Sequence, residues 1–258
     1  MIRILITIIS CVVNTHSALA DPVFPNSVVS NDLEFIKTTD QDVFSCLGFV
    51  GTRRAEMPDK RNNQLFANGV FVFKAQYKDG TNVELWAHPD FETEAKALSS
   101  VEPVARAIGK LPTVMRSRLD HVVVHFGDET AFGEAEGSFF VIYSDNINIR
   151  LRNHDLEETV FHESVHATLD ARYLRSRVWR NAQRADGKYV TNYAASNPGK
   201  EDMAESALFA WAILVHPGRL PSHIETVVKS IMPNRLEFFE DLFLEKTVFF
   251  RFTDERSC

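Results

Sequence analysis

"ETVFHESVHATLD", Glu158 to Asp170, holds two histidines four residues apart with a glutamate directly after the first. On an α-helix residues i and i+4 stack on one face, so His162 and His166 aim their imidazoles at one point. Zinc accepts imidazole nitrogen at about 2.0–2.1 Å, and two rings one turn apart can both reach it. Glu163 lies one residue round the helix, beside that point. A carboxylate there can take a proton from water at the metal and pass it to a leaving amine. Val160, Phe161, Val165, Ala167 and Leu169 surround the motif with apolar groups, so the spacing predicts a largely buried helix. Buried imidazoles and carboxylates need partners, and a metal ion supplies them.

Outward from this helix the pattern divides in two. Upstream, "GVFVFKAQYKDGTNVELWAH" alternates apolar and polar residues on both sides of Asp79-Gly80, a strong hairpin signal. Ala95, Leu98, Val101, Ala105 and Ile108 recur at helical spacing and stop before Pro112. "HVVVHF" (His121–Phe126), "SFFVIY" (Ser138–Tyr143) and "NINIRL" (Asn146–Leu151) read as strands. Downstream of Asp155 the spacing is helical throughout. Asp155 with Glu158 three residues on resembles a capping box at the start of the motif helix. Further helices are expected from Gly199 to His216, Pro221 to Ile231 and Pro233 to Leu244. Segregated strands and helices predict an α+β fold: a mixed, mostly antiparallel sheet packed on the motif helix, followed by a helical C-terminal part.

The ends carry their own signals. "MIRILITIISCVVNTHSALA" has an early positive charge, an apolar run too short to span a bilayer, and a small-x-small ending, the pattern of a signal peptide over residues 1–20. The mature chain is then expected to be secreted or periplasmic, with no stable membrane anchor after cleavage. Residues 21–68 read as an irregular N-terminal segment or small lobe, and residues 69–258 as the main domain. A 45% hydrophobic fraction with 20 phenylalanines suits a folded globule. The net charge of −7, with no basic stripe interleaved with aromatics, argues against nucleic acid as a partner. Once the signal is removed only Cys46 and Cys258 remain, a plausible disulfide in an oxidising compartment. Closing so long a loop contributes roughly 4–5 kcal/mol in the chain-entropy description. A sharper alternative puts the Cys46 thiolate on the metal as a latency switch.

A catalytic zinc wants a third protein ligand and one open position. "NPGKEDMAESALFAWA", Asn197 to Ala212, offers it: Glu201 and Glu205 lie one turn apart at the head of an apolar helix. That pair suits one ligand and one acceptor for a ligand histidine's other N–H. Acids complementing the helix dipole account for Asp202. Asp170, one turn past His166, can brace that histidine or serve as a surface acid. His121 and His125 share a strand face with Val123 and read as structural, as does His216 near a helix C-terminus.

"HESVH" followed by "EDMAE" resembles the zincin metallopeptidases, specifically the glutamate-ligand branch, the gluzincins. The resemblance covers roughly Asn153 to Trp211 and implies a zincin-like metallopeptidase domain over residues 69–258. It implies one Zn2+ per chain, with His162, His166 and Glu201 as metal ligands and Glu205 as a brace, for His162. The 35-residue separation of His166 from Glu201 is longer than in thermolysin-type members. It is closer to the catalytic domain of anthrax lethal factor, where a tyrosine also precedes the ligand glutamate. Tyr193 occupies a similar place, shifted by one residue, with Tyr189 as an alternative. The implied function is zinc-dependent hydrolysis of peptide bonds, with Glu163 as base and then acid and a tyrosine phenol at the oxyanion. The substrate is then a peptide or protein, lying against "GSFFVIY" or "NINIRL" as an added strand. The alternative is a non-catalytic exported protein that binds a metal or a partner on a peptidase-like fold.

Overall fold

The alternation around Asp79-Gly80 folds as a hairpin in the computed structural model, which describes residues 22–244. Strand β2 (Phe66–Tyr77) pairs antiparallel with β3 (Asn82–Ala87), with Gln76 opposite Asn82 and Gly80 at φ +81° in the turn. Ahead of them, β1 (Phe44–Glu56) is a 13-residue strand antiparallel to β2. The expectation of an irregular segment or separate lobe over residues 21–68 is therefore corrected, and the boundary at residue 68 falls inside β2. Register shifts between Phe49 and Gly51 and between Arg53 and Ala55 explain the misreading. Each bulge inserts a residue and breaks the two-residue period that marks a strand.

Helix α1 (Glu94–Ile108) and a single turn, α2 (Thr113–Arg116), lead to β4 (His121–His125). Strands β5 (Phe132–Glu134) and β6 (Phe139–Tyr143) follow, giving a six-stranded sheet in the order β1-β2-β3-β4-β6-β5. β3–β4 and β4–β6 are parallel and the other pairs antiparallel. A parallel step needs a crossover, and α1 supplies the one from β3 to β4. The fold is α+β with a mixed sheet.

Side-chain alternation sorts the two faces. Val122, Val124, Phe140 and Ile142 join α1 and the motif helix in the main core. Val123, Val141 and Tyr143 pack on the opposite face under Ala55, Met57, Ala67, Val70 and Val72 of the β1–β2 hairpin.

"NINIRL" is not a strand: it lies in helix α3 (Ser144–Asn153), where Ile147 is buried while Ile149 and Leu151 are exposed. Six residues with apolar positions two apart do not distinguish the two periods. Helix α4 (Leu156–Val165) starts at Asp155 as expected, but without a side-chain cap. Asp155 instead accepts from Arg150 Nη1 at 2.7 Å, and Glu158 accepts the Phe35 N–H at 2.7 Å from the N-terminal segment. Beyond Val165 the same rod continues as a π-helix, His166–Leu174. Then come α5 (Arg177–Asp186), α6 (Asn192–Ser196), α7 (Asp202–Leu214), α8 (Ser222–Ile231) and α9 (Pro233–Phe243). None of the described helices is long and apolar enough to cross a membrane.

Before β1 the chain forms a strap across the helical side. Its Phe24 and Phe35 rings sit 5.3 and 4.8 Å from Phe209 of α7. Cys46 is disulfide-bonded and so has no thiolate to place on a metal. Cys258, the other end of the expected pair, lies outside the described residues, as does the expected signal peptide.

Candidate metal centre

His162 sits in the last turn of α4 and His166 one turn on, where the rod changes to π geometry. Such a change of helical winding is rare and often marks a functional site. Glu201 stands at the entry to α7, with its backbone N–H on Asn197 O at 2.8 Å. These three side chains, all buried, converge. His166 Nε2 lies 3.2 Å from His162 Nε2 and 3.1 Å from Glu201 Oε2, and His162 Nε2 lies 3.5 Å from the same oxygen. A tetrahedral ion with arms of about 2.05 Å holds its ligand atoms about 3.3 Å apart. The spacing and the N,N,O donor set could hold a metal ion.

The hydrogen bonds behind the ligands support that fit. His166 Nδ1 donates to Asp170 Oδ2 at 2.7 Å, so in the neutral ring Nε2 is left as a lone pair facing His162 and Glu201. Without a cation two ring nitrogens and a carboxylate are held together, and a proton has to do the work. Burial pulls the His166 pKa down, but hydrogen bonds to Asp170 and Glu201 and the Glu163 charge push it up to about 10. Burial likewise opposes ionisation of Glu201, and the two histidines overcome it, holding its carboxyl well below the usual range.

Glu205 is fully buried, with Oε1 3.7 Å from His162 Nδ1. That separation is beyond hydrogen-bond length, and His162 Nδ1 has no partner. The expected brace is thus beside the ring rather than bonded to it. Glu205 instead accepts from Ser27 Oγ (2.6 Å), the Val28 N–H (2.8 Å) and Thr191 Oγ1 (2.7 Å). Nothing in the motif's spacing pointed to Ser27 or Thr191, which lie 178 and 14 residues away.

Tyr193, on α6, is 40% exposed and lies within reach of the charges of Glu201, Glu205 and Glu163. Burial, then those charges, raise its pKa to about 12, so the phenol stays protonated and able to donate. Tyr189 goes elsewhere: its ring lies 5.7 Å from the Arg235 guanidinium. Glu163 is half-buried and close enough to His166 and Tyr193 to act on both electrostatically. Asp202 is no solvated dipole acid. Fully buried, it pairs with Arg235 Nη1 and accepts from Gln183 Nε2 at 2.9 Å and Ser206 Oγ at 3.1 Å.

The strand over the helix is β5, neither of those expected. It ends the sheet, and a Cβ added at Gly133 would come 2.5 Å from His166 Cβ and 2.7 Å from Glu163 O. "GSFFVIY" is interior, as β6 between β4 and β5. His121 and His125 stay outside the site, but both have an acid nearby. His121 Nδ1 is 2.8 Å from Asp120, and its ring is stacked between Trp86 and Phe139. His125 Nδ1 is 3.8 Å from Asp59, and burial pushes its pKa down to about 4. His216 lies 3.9 Å from Asp40 against Trp211, and His223 is exposed on α8. No protein-family model matches the chain, and neither a curated protein nor a solved structure does.

Proposed function

We propose that the chain is a zinc-dependent peptidase, zincin-like in fold and of the gluzincin type, exported to act on a peptide or protein. The observation that carries this reading is the convergence of His162 Nε2, His166 Nε2 and Glu201 Oε2 beside a carboxylate that the metal does not need. Zinc held by these three residues supplies Lewis acidity, polarising a carbonyl and acidifying water. Asp170 holds the His166 ring with Nδ1–H outward and Nε2 free to bind. Glu163 takes the proton of the attacking water and delivers it to the departing amine. Tyr193, kept protonated by burial and its acidic neighbours, donates to the oxygen on which charge develops. β5, at the end of the sheet and against the ligand helix, offers backbone groups to an extended peptide.

The test combines metal analysis with a peptide-library digest read by mass spectrometry. The wild-type chain is expected to hold zinc at about one ion per chain. Glu163→Gln is expected to keep that zinc while cleavage falls by about 10²–10⁴-fold. A chain that neither retains nor takes up zinc sinks the reading. Zinc binding with no cleavage that depends on Glu163 points instead to a metal-binding protein on a peptidase-like fold.

A further inference from the structure

We propose that the N-terminal strap, residues 22–36, is a positioning element of the metal centre, acting through Ser27 and the Val28 N–H on Glu205. The inference rests on the zinc reading above.

Three contacts tie the strap to the site independently. Ser27 Oγ and the Val28 N–H donate to the two different oxygens of Glu205, at 2.6 and 2.8 Å. One turn along α7, Phe24 and Phe35 of the strap flank Phe209. Phe24 also bonds on both sides of Thr191: its N–H donates to Val190 O at 3.1 Å, and its O accepts the Asn192 N–H at 2.9 Å. Thr191 closes the circuit. It donates to Glu205 Oε2 at 2.7 Å, and its hydroxyl caps α6 by accepting the Ala194 N–H at 3.0 Å. α6 carries Tyr193.

A single carboxylate thus joins the strap, the tyrosine helix and the ligand helix, 3.7 Å from an unpartnered, buried His162 Nδ1. Glu205 is fully buried, so three donors are what keep an acceptor available at that depth. With Nε2 given to a metal ion, His162 would carry its proton on Nδ1, where Glu205 is the carboxylate 3.7 Å away, and the strap fixes where that carboxylate stands. Partners behind a metal-bound histidine typically change metal affinity by about 10–100-fold when removed. Ser27 touches neither the ligand atoms nor substrate, so its role is positioning.

The experiment measures zinc affinity by chelator competition in the wild type, Ser27→Ala and Ser27→Thr, alongside the thermal midpoint of each metal-free protein. Ser27→Ala removes one donor and little volume. We expect its zinc dissociation constant to rise by about 10-fold, with Ser27→Thr restoring affinity because the hydroxyl remains. Cobalt substitution gives a second readout, since a displaced His162 alters the ligand-field spectrum in Ser27→Ala but not in Ser27→Thr. An unchanged zinc affinity and cobalt spectrum in Ser27→Ala, whatever its thermal midpoint, overturn the inference and reduce the strap to packing. A wild-type chain that binds no zinc overturns the underlying reading instead, which the same titration shows before any variant is compared.

Discussion

Gly133 leaves no room for a side chain against the helix turn of Glu163 and His166. A methyl group there would sit 2.5 Å from His166 Cβ and 2.7 Å from Glu163 O, and neither is the movable end of a side chain. Gly133→Ala must therefore push β5 off the helix or rotate the turn that holds Glu163 and His166. The expected outcome is a loss of about 1–3 kcal/mol in a denaturant melt, with weaker zinc binding in the same protein. Full stability and full affinity in Gly133→Ala would mean that β5 does not support the ligand turn. His162, Glu163 and His166 were legible because helical spacing converts directly into a shared face, whereas spacing left Glu201 and Glu205 as alternatives and only the resemblance chose Glu201, the one that meets the two histidines. Asp170 was legible for the same reason, one turn from His166. Ser27, Thr191 and Gly133 were not. Their roles come from chain crossings, and no local period encodes which distant donor a buried carboxylate finds.

At the scale of elements, the strap and α4 are joined by a buried acid. Glu158 accepts the Phe35 N–H at 2.7 Å, and burial raises its pKa from an ordinary 4.5 to about 8 against the pull of the Phe35 and Ile36 N–H groups. The folded chain thus holds a proton between these values that the unfolded chain has lost. Stability is fully present below about 4.5 and falls as pH rises toward 8. Glu158→Gln keeps an oxygen for Phe35 and carries no charge. Its stability relative to wild type is expected to rise across that window, by about 1–3 kcal/mol at the alkaline end, and to level off above it. Urea melts of both proteins at several pH values check this, and a difference that stays constant with pH rules it out. Element reading from sequence succeeded where one period dominates, as in α1, α7 and the β2–β3 hairpin. It failed where bulges broke the period, as in β1, and where "NINIRL" was too short to choose between helix and strand. The Asp155–Glu158 capping signal failed for another reason: Arg150 and the strap offered those acids stronger partners than the helix's own N–H groups.

Across the whole molecule, the helical half is locked by an ion cluster that also fixes where α7 begins. Arg235 of α9, fully buried, pairs with Asp186 at the end of α5 at 2.9 Å and with Asp202 at the head of α7. Gln183 of α5 also reaches Asp202, at 2.9 Å. Asp202 is the residue after Glu201, so three helices from different parts of the chain meet next to the proposed third ligand. Partners 33 and 49 residues apart leave no trace in local spacing, which is why Asp202 read as a simple N-terminal acid. Arg235→Met leaves two buried carboxylates without their cation. Breaking one side of a buried pair costs about 3–5 kcal/mol, which for a chain of this size lowers the thermal midpoint by on the order of 10 °C. Removing all three charges together, Arg235→Met with Asp186→Asn and Asp202→Asn, is expected to recover much of that loss, because the cost lies in orphaned charges more than in lost attraction. Zinc affinity separates the cluster's two roles. If Arg235 sets the head of α7, Arg235→Met weakens zinc binding well below its melting temperature, and the triple variant restores stability without fully restoring affinity. Zinc binding equal to wild type in a destabilised Arg235→Met would confine the cluster to holding the helices together.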